Sequence, residues 1–151
     1  MDDLDDGHDE TRRYKSLSHG PIPIVMDVDG IESAVAQALK SVKQWKSQDA
    51  GGHSSSTCII VNSQAVRDTI ARQFLSAGYK TSVIDANQNL SDDAAAIHFA
   101  TMHRAKGLEF DQVVVIAPSS FLNDPKETES QRKLIYVALT RAKREAVLLK
   151  M

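Results

Sequence analysis

Residues 57–78, TCIIVNSQAVRDTIARQFLSAG, carry the pattern that decides the fold: a short apolar strand followed at once by an amphipathic helix. The β-branched run Thr57–Val61 is typical of a buried strand. Ser63 stands where a helix N-cap is expected, and Gly78 can end the helix in the left-handed conformation. Between them, apolar residues recur at helical spacing, at Val66, Ile70 and Phe74. The segment predicts one β-strand and one α-helix in direct succession.

The same alternation extends in both directions along the chain. Further strands are predicted at 22–26, 80–84, 96–100, 113–117 and 146–149. A helix capped at Asp29 follows the first strand, with Trp45 packed in its apolar stripe, and a helix with a Thr128–Gln131 capping box runs to about Lys143. Parallel neighbours need crossover connections, so strands alternating with helices predict an α/β fold with a mostly parallel sheet flanked by helices. In such sheets ligands bind where loops leave the carboxyl ends of strands, which directs attention to the loops after Ala100 and Ala117.

Composition and charge restrict the classes of protein to consider. The chain has 151 residues, 42% of them hydrophobic and 25% charged, with a net charge of −2. These values are typical of one globular domain. No stretch has the length and apolarity of a membrane helix or a signal peptide, so we expect a cytoplasmic protein. Cys58 is the only cysteine, which excludes an internal disulfide, and a zinc site has no supporting cluster.

Charge is distributed unevenly along the chain. The first ten residues contain five Asp and one Glu, whereas residues 132–144 contain five Lys or Arg and no acid. A polyanion is therefore expected to meet the C-terminal part. Residues 1–20 lack apolar periodicity and are expected to be a flexible arm or the edge of a larger unit, with residues 21–151 forming the domain.

Two segments combine residue types that carry chemistry. Residues 101–115, TMHRAKGLEFDQVVV, place Lys106, Gly107 and Glu109 between apolar strands. Lysine can pair with phosphate, glycine permits positive φ or a close ligand, and a carboxylate accepts from sugar hydroxyls. Residues 132–149 contain Arg141 near a helix end, where its planar fork could bind phosphate oxygens. Each segment alone also has a plain interpretation, a solvated loop in one case and a cation favoured by the helix dipole in the other.

Together the two segments resemble a known family. TMHRAKGLEFD resembles motif V, and YVALTRAK resembles motif VI, of superfamily 1 DNA helicases of the UvrD/Rep type, in the same order and at similar spacing. The short lobe and its GPIPI segment look somewhat more like the helicase IV-like branch. The resemblance implies a three-layer RecA-like (P-loop NTPase-like) domain, the C-terminal lobe of an ATP-dependent helicase.

The resemblance also implies roles for particular residues. Glu109 would accept from the ATP ribose, with Gly107 allowing a close backbone approach, and Arg141 would be the catalytic arginine finger on the γ-phosphate. The residues expected to face single-stranded DNA are Thr101, His103 and Lys106. Tyr136 and Thr140 would couple the nucleotide to the cleft between the lobes.

The departures from the family pattern define what this chain would lack. It has neither a Walker A loop nor the carboxylate pair that holds Mg²⁺, so the resemblance implies half an ATP site, completed by a P-loop lobe that supplies the Mg²⁺ ligands. No protein residues are expected to form a metal site here. The isolated fragment is therefore predicted to be inactive.

The expected partners are single-stranded DNA and the P-loop lobe. Repair or transcription proteins are further candidate partners, and no membrane is expected. A rival interpretation is a stand-alone degenerate lobe that acts as a protein-binding module. An unrelated nucleotide-binding α/β protein is a third, which the absence of a glycine-rich loop at a strand–helix junction disfavours.

Overall fold

The computed structural model describes residues 21–48, 55–84, 96–118 and 128–151. Within these ranges six strands form one parallel sheet in the order β1-β6-β5-β2-β4-β3. The strands are β1 (Ile24–Asp27), β2 (Thr57–Val61), β3 (Thr81–Val83), β4 (Ile97–Thr101), β5 (Phe110–Ala117) and β6 (Ala142–Lys150). The helices are α1 (Ile31–Ser47), α2 (Gln64–Ser76) and α3 (Thr128–Leu139). The expected arm at residues 1–20 lies outside the described residues, as do most of the loops at 85–94 and 118–126.

The sheet is covered on both faces, which confirms the α/β prediction. Every residue of β2 and β4 is buried, because each of these strands has a neighbour on either side. One apolar cluster joins the sheet to α1 and α2, and a second joins its other face to α3 and to residues 102–108. Trp45 is 4% exposed within the first cluster, so its predicted packing role is confirmed. The loop of residues 102–109 thus shares a face with α3.

Helix α2 begins and ends as its sequence predicts. The Ser63 hydroxyl accepts the Val66 N–H at 3.3 Å. At the other end Gly78 has φ +98, and the Tyr79 N–H donates to the Phe74 carbonyl at 3.1 Å while the Gly78 N–H donates to Leu75. This is a Schellman motif, and the contact of the Phe74 and Tyr79 rings at 5.7 Å closes it.

The predicted start of α1, the predicted end of α3 and the predicted start of β6 are wrong. Helix α1 is capped by Gly30, which has φ +150 and makes no side-chain capping bond, rather than by Asp29. Helix α3 ends at Leu139 instead of near Lys143, and β6 starts at Ala142 instead of Ala146. Pairing with β5, which starts at Phe110, draws the residues after Arg141 into a strand although their own propensity is helical.

Cys58 lies within β2 and is fully buried. Burial raises the pKa of its thiol well above the ordinary value. Across the four described ranges, no helix has the length and apolarity to span a membrane. In the same ranges, no three His, Cys, Asp or Glu side chains are grouped as metal ligands would be.

Candidate functional site

The loop between β4 and β5 is anchored by every third residue. Met102 and Ala105 are buried, and Leu108 packs against the same cluster, which contains Ile135 and Ala138 of α3. The residues between these anchors are exposed, namely His103, Arg104, Lys106, Gly107 and Glu109. The apolar positions therefore fix the loop on the sheet and present the polar ones to solvent.

Thr101 ends β4 and caps the first turn of this loop. Its carbonyl accepts from the N–H groups of Arg104 and Ala105 at 3.1 Å, and its hydroxyl accepts the Arg104 N–H at 3.4 Å. The residue is 9% exposed. Thr101 therefore holds the turn, while His103 and Lys106 are the exposed members of the predicted DNA-facing set.

Gly107 ends the turn with φ +82, the positive value that its sequence position suggested. A Cβ added there would meet no atom within 4 Å. The glycine is thus required by backbone conformation and not by internal crowding, and the space above it is open.

The loop crosses from one edge of the sheet to the other. Thr101 is level with Ile116 near the carboxyl end of β5, because both pair with Val61. After the eight intervening residues 102–109, the chain enters β5 at Phe110, at the amino end. Thr101 and Glu109 therefore lie at opposite edges of the sheet.

Glu109 and Arg141 are brought together at the amino edge. The Phe110 N–H donates to the Arg141 carbonyl at 2.8 Å, and Phe110 pairs with Ala142. The expectation that the site lies at the carboxyl ends is therefore wrong for these two residues. The long loop carries Glu109 across the face of the sheet, which its position after β4 does not reveal.

Arg141 follows the end of α3 and is partly exposed. Its Nε donates to the Val137 carbonyl at 3.1 Å, and its Nη2 donates to the Thr140 hydroxyl at 3.2 Å. The Thr140 hydroxyl itself donates to Val137 at 2.7 Å. No carboxylate in the described ranges pairs with this guanidinium, so its remaining nitrogen, Nη1, is left for another partner.

Tyr136 lies in the last turn of α3, five residues before Arg141. Its side chain is partly buried against the cluster that also contains Met102 and Ala105, and its carbonyl accepts the Thr140 N–H at 3.0 Å. The helix end and the loop therefore pack in one layer on the same face of the sheet.

Sequence reasoning gave no role to a group of polar residues at the same edge. The Asp111 carboxylate and the Ser56 hydroxyl bond each other's backbone, and Thr57 donates to Gln112 Oε1 at 2.9 Å beside them. Lys143 lies 3.9 Å from Asp111. The signal in the sequence was the polar pair Asp111–Gln112 at the start of an otherwise apolar strand.

Comparison with known proteins gives the family of this arrangement. Residues 79–150 match the family model described as the UvrD-like helicase C-terminal domain. The match runs from just after α2 to the last residue of β6 and contains both recognised motifs. The resemblance to UvrD-type helicases is therefore confirmed, and this segment carries a UvrD-like helicase C-terminal domain. No curated protein sequence matches the chain.

Solved structures share the fold. The chain aligns over its full length with the C-terminal domain of a possible DNA helicase from Lactobacillus plantarum WCFS1, at 24% identity and a TM-score of 0.69, and covers 85% of that chain. It aligns over 84% of its length with the E. coli DEAD-box protein SrmB, solved bound to regulator of ribonuclease activity A, at 14% identity and a TM-score of 0.50, covering 75% of that chain. A Sulfolobus solfataricus SWI2/SNF2 ATPase core in complex with dsDNA aligns over 95% of this chain and 30% of its own, at 14% identity and a TM-score of 0.50. These likenesses support the RecA-like fold.

Proposed function

We propose that this chain, whose residues 79–150 match the UvrD-like helicase C-terminal domain, forms one side of the ATP site of an ATP-dependent DNA helicase or translocase. A P-loop lobe of the same polypeptide would form the other side and hold Mg²⁺. The observation that carries the proposal is the 2.8 Å bond from the Phe110 N–H to the Arg141 carbonyl, because it sets Glu109 beside Arg141 at an exposed edge.

The two residues would act on different parts of ATP. The exposed Glu109 carboxylate would accept from the ribose hydroxyls, and the open space at Gly107 would admit the nucleotide. Arg141 would neutralise charge on the departing γ-phosphoryl group. Thr140 supports this role, because its hydroxyl holds one edge of the guanidinium while Nη1 stays available.

The other end of the loop would belong to the single-stranded DNA track. His103 and Lys106 are exposed on the turn that Thr101 caps, and lysine binds a backbone phosphate without reading sequence. Because one loop joins this turn to Glu109, opening and closing of the ATP cleft would move the DNA contacts. Tyr136 would transmit the movement through the layer that α3 and the loop share.

The test uses Arg141→Lys in the polypeptide that joins this lobe to its P-loop lobe. Lysine keeps the charge and loses the planar fork, so we expect kcat for ATP hydrolysis to fall by about 1,000-fold while KM changes little. Arg144→Lys is the matched control, since Arg144 is an exposed arginine three positions further on. The isolated 151-residue chain should show no hydrolysis in the same assay.

Two results would contradict the proposal. One is unchanged turnover in Arg141→Lys, which would leave the residue as a helix-terminal cation only. The other is turnover by the isolated chain at the rate of the two-lobe protein, since half a site should not suffice.

A further inference from the structure

A reciprocal pair of hydrogen bonds joins the start of β5 to Ser56, the residue just before β2. The Ser56 N–H donates to Asp111 Oδ2 at 2.9 Å, and the Asp111 N–H donates to the Ser56 hydroxyl at 2.9 Å. The Ser56 hydroxyl also lies 3.4 Å from the same carboxylate oxygen. Each residue therefore supplies both a backbone donor and a side-chain acceptor, which fixes the two strands in one register.

The same carboxylate faces β6 on its other side. Lys143 Nζ lies 3.9 Å from Asp111 Oδ1, and the Asp111 side chain is only 20% exposed. The Asp111 carboxylate thus contacts the residue just before β2 and a residue of β6, the two strands that flank β5.

The pairing of β5 with β6 is irregular at this point. Phe110 pairs with Ala142 and Gln112 with Glu145, so β5 advances two residues while β6 advances three. The extra residue makes a bulge in β6 opposite Asp111. Bulges re-aim the side chains next to them and are common beside functional sites.

Both proposed nucleotide contacts adjoin this bulge. Glu109 lies two residues before Asp111, and Arg141 is bonded through its carbonyl to the residue between them. If the start of β5 moved, the amide of Phe110 and the carbonyl of Arg141 would move with it. The side chains of Glu109 and Arg141 would then lose their fixed separation.

We propose that Asp111 is a positioning residue that holds Glu109 and Arg141 in one arrangement, through its bonds to Ser56 and its ion pair with Lys143. The contacts above support the claim that Asp111 holds the start of β5 in place. The claim that this matters for catalysis rests on the proposed function, so the two claims are tested separately.

The geometric test measures hydrogen exchange of single amides by NMR in the 151-residue chain. Asp111→Ala removes the carboxylate that accepts the Ser56 N–H and pairs with Lys143. It should speed exchange of the Phe110 amide by at least about tenfold, as expected for local opening, without a matching change at Ile59. Asp111→Asn keeps an acceptor for the Ser56 N–H and should restore most of the protection. Asp27→Asn is the control. Asp27 also pairs with a lysine of β6, Lys150 at 3.6 Å, but at the other end of that strand.

Unchanged exchange at Phe110 in Asp111→Ala would overturn the inference. An equal rise at Phe110 and Ile59 would do so as well, because it would show general destabilisation. Should Asp111→Ala fail to fold, Ser56→Ala removes one acceptor of the pair and should raise exchange at Phe110 in the same selective way.

The catalytic test is a double-mutant cycle in the two-lobe protein. Asp111→Ala should lower kcat by about 100-fold, the loss that a displacement of about 1 Å can cause, and should have no further effect when Arg141 is already alanine. A full additional loss in that background would mean that Asp111 does not act through Arg141. If Arg141→Ala itself leaves turnover unchanged, the proposed function fails, and the exchange experiment still decides whether Asp111 holds the edge.

Discussion

Replacing Gly107 by alanine tests the backbone conformation of the loop without disturbing the packing around it. The glycine has φ +82, and an added Cβ would meet nothing within 4 Å, so the whole effect of the substitution is backbone strain. The left-handed conformation costs an L-residue about 1–2 kcal/mol. The lower entropy of the unfolded alanine chain offsets about 0.4–1 kcal/mol of this.

Gly78→Ala provides a matched control. Gly78 has φ +98 and is equally open, but it ends α2 on the other face of the sheet. Both variants should therefore lose about 1 kcal/mol of stability, which corresponds to a drop in Tm of about 2–4 °C for a domain of this size. Urea titrations should show a lower midpoint with an unchanged slope.

Only Gly107→Ala should impair nucleotide binding at the proposed ATP site. Strain at this position bends the chain two residues before Glu109, so we expect the two-lobe protein to bind nucleotide more weakly with this variant and normally with Gly78→Ala. Thermal unfolding identical to that of the parent chain would refute the strain argument. Equal nucleotide affinity for both variants would refute the claim that this turn presents Glu109.

Two further predictions concern the loop's charge and the buried thiol. Lys106→Ala in the two-lobe protein should lower the slope of log affinity for single-stranded DNA against log salt concentration by the amount of about one phosphate contact. Lys40 is an exposed lysine of α1, and Lys40→Ala should leave that slope unchanged. Equal slopes for the two variants would contradict the proposed contact of Lys106 with DNA. Because burial raises the pKa of Cys58, the folded chain keeps a proton that the unfolded chain loses. Stability should thus be full below the ordinary value of 9.0 and fall above it, by at most about 1.4 kcal/mol per pH unit. Urea titrations should show that Cys58→Ala removes this alkaline slope, and a slope that persists would assign it to other groups.

Local signals predicted the central part of the fold. The run Thr57–Val61 between polar residues gave β2 its bounds, and Ser63 with Gly78 gave the start and end of α2. These features depend on neighbours in the chain, so a local pattern contains them. The motif residues were likewise recognisable because both segments are long.

Tertiary pairing decided what the sequence did not. Ala142–Glu145 have helical propensity, yet they join β6 because β5 offers a strand edge from Phe110 onward. Phe110–Gln112 also belong to β5, although the strand was predicted to start at Val113 and two of these three residues are polar. Their polar groups are bonded by Ser56 and Thr57, which are distant in the sequence. To predict that Glu109 lies at the amino edge, one must also know the path of the loop, and sequence spacing alone does not give that path.

The neighbouring positions of β1 and β6 have a consequence for how the lobe is made. The first described strand of the domain pairs only with the last, so β1 has no sheet partner in the described chain until β6 has formed. During translation β1 must wait until residues 147–150 have left the ribosome, and contacts between such distant parts of a chain form slowly. We expect nascent chains stalled before β6 to remain sensitive to protease, and the released lobe to become resistant in a single step.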